Sequence, residues 1–488
     1  MSADWREVKL SELTSKITKG TTPSKKDGGF SDAGVNYIKA ESVGYDGTID
    51  ETKFAFISEN VHEKLKRSQL APGDILYSMA GVFLGKSALV EERHIPANTN
   101  QALALIRPKH EEVDAKYLRY YLSQPSVVHF VNNATSQSAQ PNINLKQIGD
   151  LNISLPSLER QRNISQVLST LDQKISLNTQ TNQTLEQMAQ ALFKSWFVDF
   201  DPVIDNALDS GFFEREFAGE DIPEPLAQRV AVRQAMRQSL REAGGTDAAA
   251  PVIGGLPPET RALFPDRFEK HPELGWIPKG WMVKSLAEQT KLIGGGTPKR
   301  SNEEFWGGGI PWFSVKDAPN NSDVFVLDTD EKITVAGLNG SSTRLLPVGT
   351  TIISARGTVG KLALVGREMA MNQSCYGVLP ADGLGLGVYF NYFSLKRIVY
   401  WLRQNTHGAV FDTITKQTFE TVSSVVPPST IASEFERQVT PWLDLVKSKL
   451  LENVSLSQLR DTLLPKLLSG ELTVLDVCQE NQVESKVA

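Results

Sequence analysis

The sequence predicts an α+β protein with two mixed α/β domains, each built on a twisted β-sheet, and two long helices that separate them. Three observations predict this fold class: a repeat of domain length, a strand-rich first part in each copy, and a heptad pattern in the second part. Because the chain has 488 residues, it can form several domains that each bury a core of their own.

The repeat places two copies of one pattern along the chain. Pro72 recurs as Pro347, and Gly85 as Gly360, both at an offset of 275 residues. A repeat of this length is a whole domain, whereas solenoid units have about 20–50 residues. The chain therefore predicts a pseudo-twofold internal repeat, and two related domains suggest two related sites.

The first part of each copy, residues 1–155 and 272–427, has the pattern of a mixed domain. Short apolar runs rich in β-branched and aromatic residues alternate with turn signals such as Asn339-Gly340, which predicts short strands. Within the first domain we expect a helix over residues 115–122.

The second part of each copy, residues 156–200 and 428–472, predicts a long helix. Ser157 is a candidate N-cap behind Pro156. Pro441 is expected to kink the second helix or to restart it. The seam residues that we expect to pack together are Leu168, Leu171 and Ile175 of the first helix and Leu443, Val446 and Leu450 of the second.

Asn182 and Asn453 occupy matching places in the two seams. A polar residue inside a seam costs stability but specifies the register and the partner. Between the copies, residues 201–271 have no counterpart after the second helix, so this segment is interpreted as an insertion or linker with a charged helix over 226–243. Residues 473–488 are expected to be a C-terminal tail.

Composition excludes several classes of protein. Only Cys375 and Cys478 occur, so we expect no disulfide framework, which points to a reducing cytoplasm. The six histidines have no metal-ligand spacing, and no run could span a bilayer. We therefore expect no metal, no cofactor and no membrane contact. The formal net charge of −6 does not favour nucleic acid, although charge can be segregated.

One segment imitates a phosphate-binding loop. Residues 80–87 end in Gly-Lys-Ser, but the second copy has Leu362 where Ser87 would bind magnesium. A loop shared by both copies is therefore not expected to hydrolyse ATP. The chain also has no methyltransferase or nuclease signature, so no catalytic residue is expected.

Polar loops at matching places in both copies are the candidate DNA-reading elements. Asn and Gln present a donor and an acceptor to adenine, and an arginine can fork onto guanine. The alternative is that these amides cap turns. We align residues 98–101 with 371–374 and residues 135–140 with the region around His407. The candidates are Lys25, Lys26, Asn98, Asn100, Gln101, Gln137 and Gln140 in the first copy and Lys299, Arg300, Arg356, Asn372, Gln373 and His407 in the second.

The ends of the two long helices carry a family resemblance. Residues 192–202, Leu-Phe-Lys-Ser-Trp-Phe-Val-Asp-Phe-Asp-Pro, resemble the end of the central helix in specificity subunits of Type I restriction–modification enzymes, and residues 459–472 resemble their C-terminal helix. The resemblance implies two target-recognition domains held apart by two antiparallel helices. It also implies a subunit without catalysis that binds a bipartite double-stranded DNA site and docks two methyltransferase subunits, with restriction subunits joining.

Under this resemblance, Trp196 and Phe197 are candidates for partner docking. The alternative, that they close the internal core, stays open. Two other functions also stay open: a helical scaffold with two protein-binding domains and no DNA contact, and a phosphate-loop nucleotidase.

Overall fold

The computed structural model describes residues 5–80, 84–134, 142–242, 256–319, 323–405, 413–474 and 476. The candidates Gln137, Gln140 and His407 lie outside these residues. The chain divides into two compact units, Met1–Ser176 with Val454–Ala488, and Leu177–Asn453. Each unit therefore combines one mixed domain with one part of each long helix. Within the described ranges, no helix is both long and apolar enough to cross a membrane.

The first unit contains a four-stranded sheet in the order β2-β8-β5-β6, a three-stranded sheet in the order β4-β3-β7, and the pair β1-β9. Its strands are β1 (Arg6–Lys9), β2 (Thr14–Lys19), β3 (Val35–Ile38), β4 (Ala55–Ile57), β5 (Ile75–Ser78), β6 (Ser87–Leu89), β7 (Ala97–Thr99), β8 (Leu103–Pro108) and β9 (Asn152–Leu155). Its helices are α1 (Glu59–Lys64), α2 (Ala115–Leu122), α3 (Pro125–Ala134), α4 (Leu145–Gly149) and the beginning of α5 (Leu158–Phe197).

The second unit contains a five-stranded sheet in the order β13-β20-β17-β18-β15, a three-stranded sheet in the order β16-β14-β19, and the pairs β12-β21 and β10-β11. Its strands are β10 (Phe268–His271), β11 (Gly275–Pro278), β12 (Met282–Ser285), β13 (Thr290–Gly294), β14 (Trp306–Phe313), β15 (Phe325–Val326), β16 (Lys332–Ile333), β17 (Thr351–Ser354), β18 (Leu362–Val365), β19 (Ala370–Met371), β20 (Cys375–Pro380) and β21 (Ser423–Val426). Its helices are α6 (Asp201–Ser210), α7 (Phe212–Phe217), α8 (Leu226–Glu242), α9 (Pro258–Arg261), α10 (Leu286–Gln289), α11 (Val335–Asn339), α12 (Val388–Asn405), α13 (Lys416–Thr421) and most of α14 (Ser429–Ser469).

The two units repeat one topology. The order β2-β8-β5-β6 returns as β13-β20-β17-β18, to which β15 adds a parallel edge strand, and β4-β3-β7 returns as β16-β14-β19. Helix α2 has the predicted bounds, and Arg160 N donates to Ser157 Oγ at 3.4 Å, as expected of an N-cap before α5. The predicted fold class, with two mixed α/β domains, two long helices and an internal repeat, is confirmed.

In the first unit, the two long helices run antiparallel. Leu168 shares an apolar core with Leu464 and Leu467, and Asp172 Oδ1 accepts from Arg460 Nη1 at 2.9 Å. Residue numbers therefore rise along α5 while they fall along α14. The predicted contact of Leu168 with Leu443 was wrong, because an antiparallel pair brings the beginning of one helix to the end of the other.

In the second unit, Leu443 and Val446 share a core with Ala189 and Phe193 of α5. The predicted seam partners Leu171, Ile175 and Leu450 were assigned with the same wrong register, since α5 residues before Leu177 belong to the first unit. Helix α14 is continuous from Ser429 to Ser469. The prediction that Pro441 restarts this helix was therefore wrong.

The polar layer of the helix pair forms around Asn178. Its Nδ2 donates to Asn453 Oδ1 at 2.9 Å, and its Oδ1 accepts from Lys449 Nζ at 3.0 Å. Asn182 is fully buried, and neither polar atom of its side chain has a hydrogen-bond partner among the described residues. Asn453 therefore pairs with Asn178, which lies one helical turn before Asn182 on α5, although Asn182 is the counterpart of Asn453 in the repeat.

The described residues of the insertion, 201–242 and 256–271, are a folded part of the second unit and not a linker. Phe212, Phe213 and Phe264 are buried in the same core as Trp196. Helix α8 lies along α6 through ion pairs at four-residue spacing, Arg233 with Asp205 and Arg237 with Asp209. The aromatic side chains of this segment supply buried apolar area, although its composition is charged.

Trp196 and Phe197 belong to that core. Trp196 is 1% exposed and Phe197 is 3% exposed. The Trp196 ring meets Phe264 edge-on at a centroid distance of 5.0 Å and Phe435 at 6.2 Å. The prediction that these residues dock a partner was wrong, because both side chains are already covered within the unit.

Candidate nucleic-acid interface

In the first unit, two polar segments are joined at the end of the larger sheet. We call residues 20–26, after β2, the Thr-Pro loop, and residues 98–101, after the first residue of β7, the amide turn. Thr21 N donates to Thr99 O at 2.9 Å. A Cβ atom at Gly20 would lie 2.2 Å from Asn100 O, so the loop can pass this close to the turn only because residue 20 is glycine.

The second unit repeats this junction with a Thr-Pro loop at residues 295–301 and an amide turn at residues 370–373. Gly296 N donates to Met371 O at 3.0 Å. A Cβ atom at Gly295 would lie 1.9 Å from Asn372 O. The two copies therefore hold the same pair of polar segments together by the same backbone contacts.

An aromatic side chain anchors each Thr-Pro loop from the three-stranded sheet. Tyr37 Oη donates to Thr21 O at 2.9 Å, and Trp312 Nε1 donates to Gly296 O at 3.0 Å. These donors occupy matching places in the repeat although they differ chemically. Burial raises the pKa of Tyr37, which keeps its hydroxyl proton available as a donor.

Strand pairing sets the correspondence of the two amide turns. Tyr37 lies opposite Asn98, and Trp312 lies opposite Ala370. Asn98 therefore corresponds to Ala370, so that Asn100 and Gln101 correspond to Asn372 and Gln373. The sequence alignment of residues 98–101 with 371–374 was wrong by one residue.

Asn98 does not face solvent, so its assignment as a DNA-binding residue was wrong. The side chain is fully buried. Its Oδ1 accepts from His62 Nδ1 at 2.5 Å, and its Nδ2 donates to Ser68 Oγ at 2.9 Å and to Leu65 O at 3.1 Å. These hydrogen bonds connect the α1 region to β7. They use both polar atoms of the amide, so the side chain has no edge left to bind a base.

The remaining candidates of the first unit border its Thr-Pro loop. Lys25, Lys26 and Gln101 are exposed, and Asn100 is partly buried. Asn100 Oδ1 has no hydrogen-bond partner among the described residues.

Sequence analysis missed Arg67. Its Nη2 donates to Thr21 Oγ1 at 3.1 Å, and its backbone oxygen accepts from Lys16 Nζ at 2.9 Å. Burial, reinforced by the charge of Arg107, lowers the pKa of Lys16. The Lys64-Leu65-Lys66-Arg67 run was the signal for this residue, but only the fold brings it to the loop.

In the second unit, Gln373 and Lys299 are exposed, and Asn372 is partly buried with its Oδ1 accepting from Ser374 N at 3.0 Å. Thr297 Oγ1 donates to Gln373 Oε1. Arg356 is exposed and forms an isolated backbone bridge with Thr413. One loop therefore brings together Lys299, Asn372 and Gln373, whereas no described contact joins Arg356 to that loop. Their contact with DNA stays a prediction.

Arg300 is engaged by two residues that the sequence did not single out. Its guanidinium carbon lies 3.9 Å from the centroid of the Trp306 ring, and its Nη2 donates to Glu331 Oε2 at 2.9 Å. The pair raises the pKa of Arg300 and lowers that of Glu331. In the free protein, Arg300 is therefore charged, and the terminal nitrogens of its guanidinium group are already paired with Glu331.

The Gly-Lys dipeptide that imitates a phosphate loop has a structural role in both copies. Lys86 N donates to Ser78 Oγ at 2.9 Å, and Lys361 N donates to Ser354 Oγ at 2.8 Å. A phosphate cradle needs backbone N–H groups that are free to reach a ligand. These N–H groups are already used within the turn, although residues 81–83 lie outside the described ranges.

Comparisons with known proteins agree with the repeated architecture. A family profile described as "Type I restriction modification DNA specificity domain" matches residues 2–187 and 278–438. The Type I restriction enzyme HindI specificity subunit of Haemophilus influenzae is 29% identical over 434 residues, which cover 83% of this chain and 88% of that protein. The putative type I restriction enzyme MjaX specificity subunit of Methanocaldococcus jannaschii is 22% identical over 480 residues, covering 96% and 94%.

One solved structure shares the fold. The crystal structure of a Type-I restriction-modification system S subunit from M. genitalium has a TM-score of 0.51 and 13% identity, and the match covers 96% of each chain. At this identity the likeness concerns the fold alone.

Proposed function

The chain belongs to the Type I restriction modification DNA specificity family, and from this premise we propose that it reads a bipartite DNA sequence, one half with each unit, without catalysis of its own. The Thr-Pro loop and the amide turn of each unit form the reading surface. The acidic chain supplies base contacts there, while partner subunits supply part of the positive surroundings of the DNA.

The observation that carries this proposal is that the two copies share one backbone arrangement but differ in the side chains around it. Tyr37 and Trp312 anchor the same backbone position in the two copies. The side chains around that position differ, with Lys25 in the first copy where Arg300 stands in the second. A backbone arrangement that both copies share, with different exposed side chains in each, is what one scaffold needs to read two different sequences.

The exposed cations next to these frames support DNA contact in spite of the net charge of −6. Lys25, Lys26 and Arg67 are exposed at the first loop, and Lys299 is exposed at the second. Lysine and arginine contacts to phosphate position a protein on DNA, and neighbouring base contacts provide the sequence preference. Exposed cations therefore lie at both candidate surfaces although the chain as a whole is acidic.

The proposal includes docking of methyltransferase subunits and, through the assembled complex, of restriction subunits. Because Trp196 and Phe197 are buried, we assign docking to exposed apolar side chains of α14, Leu459 in the first unit and Leu445 in the second. Leu459 is 44% exposed and Leu445 is 43% exposed. Apolar side chains that remain exposed on the long helix fit a protein interface.

Selection of duplexes from a random library by the full chain, purified with its methyltransferase partners, tests this function. We expect two conserved half-sites with a spacer of constant length, and binding that weakens steeply as salt rises. Selection of no sequence, with partner binding intact, would instead favour the scaffold function. Changing Leu459 or Leu445 to Asp should reduce co-purification of methyltransferase subunits, whereas the same change at an exposed polar position of α14, Gln458, should not.

A further inference from the structure

The second unit contains a built arginine site that deepens the proposed function and rests on it. Arg300 belongs to the exposed end of the Thr-Pro loop and lies next to the three-stranded sheet. Its guanidinium group is in contact with a tryptophan pair and a carboxylate from the same sheet region. We call Arg300, Trp306, Trp312 and Glu331 the arginine cradle.

The tryptophan pair forms the floor of the cradle. The Trp306 and Trp312 rings meet edge to face, with centroids 5.1 Å apart. The guanidinium carbon of Arg300 lies 3.9 Å from the Trp306 centroid and 5.1 Å from that of Trp312. A planar guanidinium stacked on indole keeps its edge free for in-plane hydrogen bonds.

Glu331 occupies that edge. Both terminal nitrogens of Arg300 donate to its two carboxylate oxygens, one of them at 2.9 Å. The two side chains remain 55% and 45% exposed, so the pair is open to competition by an external ligand. Solvent screens an exposed ion pair of this kind, so such a ligand can replace Glu331.

The tryptophans also connect the cradle to the reading loop. Trp312 Nε1 donates to Gly296 O at 3.0 Å, and Trp306 Nε1 donates to Lys299 O at 3.4 Å. Next to Trp306, a Cβ atom at Gly307 or Gly309 would meet no atom within 4 Å. The stacked guanidinium thus belongs to the same rigid surface as the loop, beside backbone that a ligand can approach closely.

The first copy builds this position differently. Lys25 stands where the second copy has Arg300. Strand pairing places Ala55 where the second copy has Glu331, because Phe56 lies opposite Asn36 as Lys332 lies opposite Pro311. Phe30 and Tyr37 form the edge-to-face pair there, with centroids 5.1 Å apart. Lysine offers a point charge without a planar fork, so the two copies present different recognition chemistry at one place of the shared frame.

We propose that Glu331 occupies the place of a DNA group with two in-plane acceptors. When the second half-site binds, Arg300 releases Glu331 and binds this DNA group instead. The two possible groups are the O6/N7 edge of a guanine and two oxygens of a phosphate, since both match a guanidinium fork. A ligand with one acceptor does not displace Glu331, because it does not replace both hydrogen bonds of the carboxylate.

Binding of full-length protein to a selected duplex and to a scrambled duplex tests the exchange. Glu331→Gln keeps the shape of the side chain and removes its charge. We expect it to tighten binding to the selected duplex by about two- to fivefold, the factor that corresponds to an exposed ion pair, because the Arg300–Glu331 pair must break in that complex, and to tighten binding to the scrambled duplex less. Glu368→Gln is the matched control, because it makes the same charge change at another exposed residue of the domain.

Arg300→Lys should narrow the difference between the two duplexes in the same assay, while melting curves verify that each variant is folded. Replacing guanines of the second half-site one at a time by 7-deazaguanine distinguishes the two acceptors. Loss at a single guanine identifies the base edge. No loss at any guanine, together with a salt slope reduced by about one in Arg300→Gln, identifies phosphate.

Three results decide the proposal. If wild-type protein selects no sequence, the proposed function fails and takes this inference with it. If wild type binds and Glu331→Gln equals Glu368→Gln on both duplexes, the exchange alone is refuted. If Glu331→Gln weakens both complexes, Glu331 holds Arg300 in its working position instead of competing for it, and the exchange is again refuted.

Discussion

Replacing Trp196 by alanine should destabilise the second unit, because this side chain fills its core instead of facing a partner. The ring is 1% exposed and meets Phe197, Phe264 and Phe435 at centroid distances of 6.0, 5.0 and 6.2 Å. Truncation removes these three edge-on contacts together with the buried area of the indole.

The expected loss is about 3–5 kcal/mol of unfolding free energy, the range for Trp→Ala in a close-packed core. Domains have a total stability of roughly 5–15 kcal/mol, so the variant should unfold at a clearly lower temperature or be insoluble. Trp196→Glu should be worse, because a carboxylate without a partner would be buried there.

Trp401→Ala is the matched control, since it removes the same side chain from a position that is 54% exposed in the same unit. We expect a change within about 0.5 kcal/mol, as for most surface substitutions. Calorimetry and urea unfolding monitored by circular dichroism measure both variants. The reasoning is refuted if Trp196→Ala melts like Trp401→Ala and instead fails to co-purify with methyltransferase subunits.

Three further predictions concern reading, pH and the helix pair. Arg356→Ala with Asn372→Ala should relax selectivity in one half-site only, by about 1–3 kcal/mol per lost bidentate contact; equal degradation of both halves in a selection experiment would contradict the division of labour. Burial raises the pKa of Glu436 from 4.5 to about 7, so its ionisation should destabilise the fold increasingly as pH rises between these values, by at most about 3 kcal/mol. Glu436→Gln should flatten this part of the melting-temperature profile, and an unchanged profile would show that another group titrates. Asp172→Ala leaves Arg460 without its partner on α5 and should cost about 1–3 kcal/mol, because the pair is partly exposed and Arg460 keeps Asp461 as a partner; Arg460→Met in the same background should recover part of the loss in thermal unfolding, and no recovery would argue against this ion pair as the cause.

The sequence predicted the parts of the molecule that follow from periodicity. The offset of 275 residues that relates Pro72 to Pro347 is matched by a repeated strand order. The bounds of α2 and the existence of both long helices also followed from local pattern, because period and capping are properties of neighbouring residues.

Other predictions failed where the answer depended on contacts between distant residues. A heptad pattern shows which face of a helix is apolar but not which residues face it, so Leu168 was assigned to Leu443 instead of Leu464. Asn98 and Asn100 are two residues apart and alike in sequence. The first is enclosed by His62, Leu65 and Ser68, and the second borders the reading loop.

The sequence by itself therefore determined the duplicated architecture, the polar loops and the family, since these depend on local patterns that recur along the chain. Only the tertiary structure decided that Trp196 is core, that residues 201–271 include folded helices of the second unit, and that Glu331 occupies the fork of Arg300. Arg300 and Glu331 are 31 residues apart, and their pairing requires the β14–β16 contact of the three-stranded sheet. Burial and pairing are set by which segments the fold brings together, and that information is not contained in any single window of the sequence.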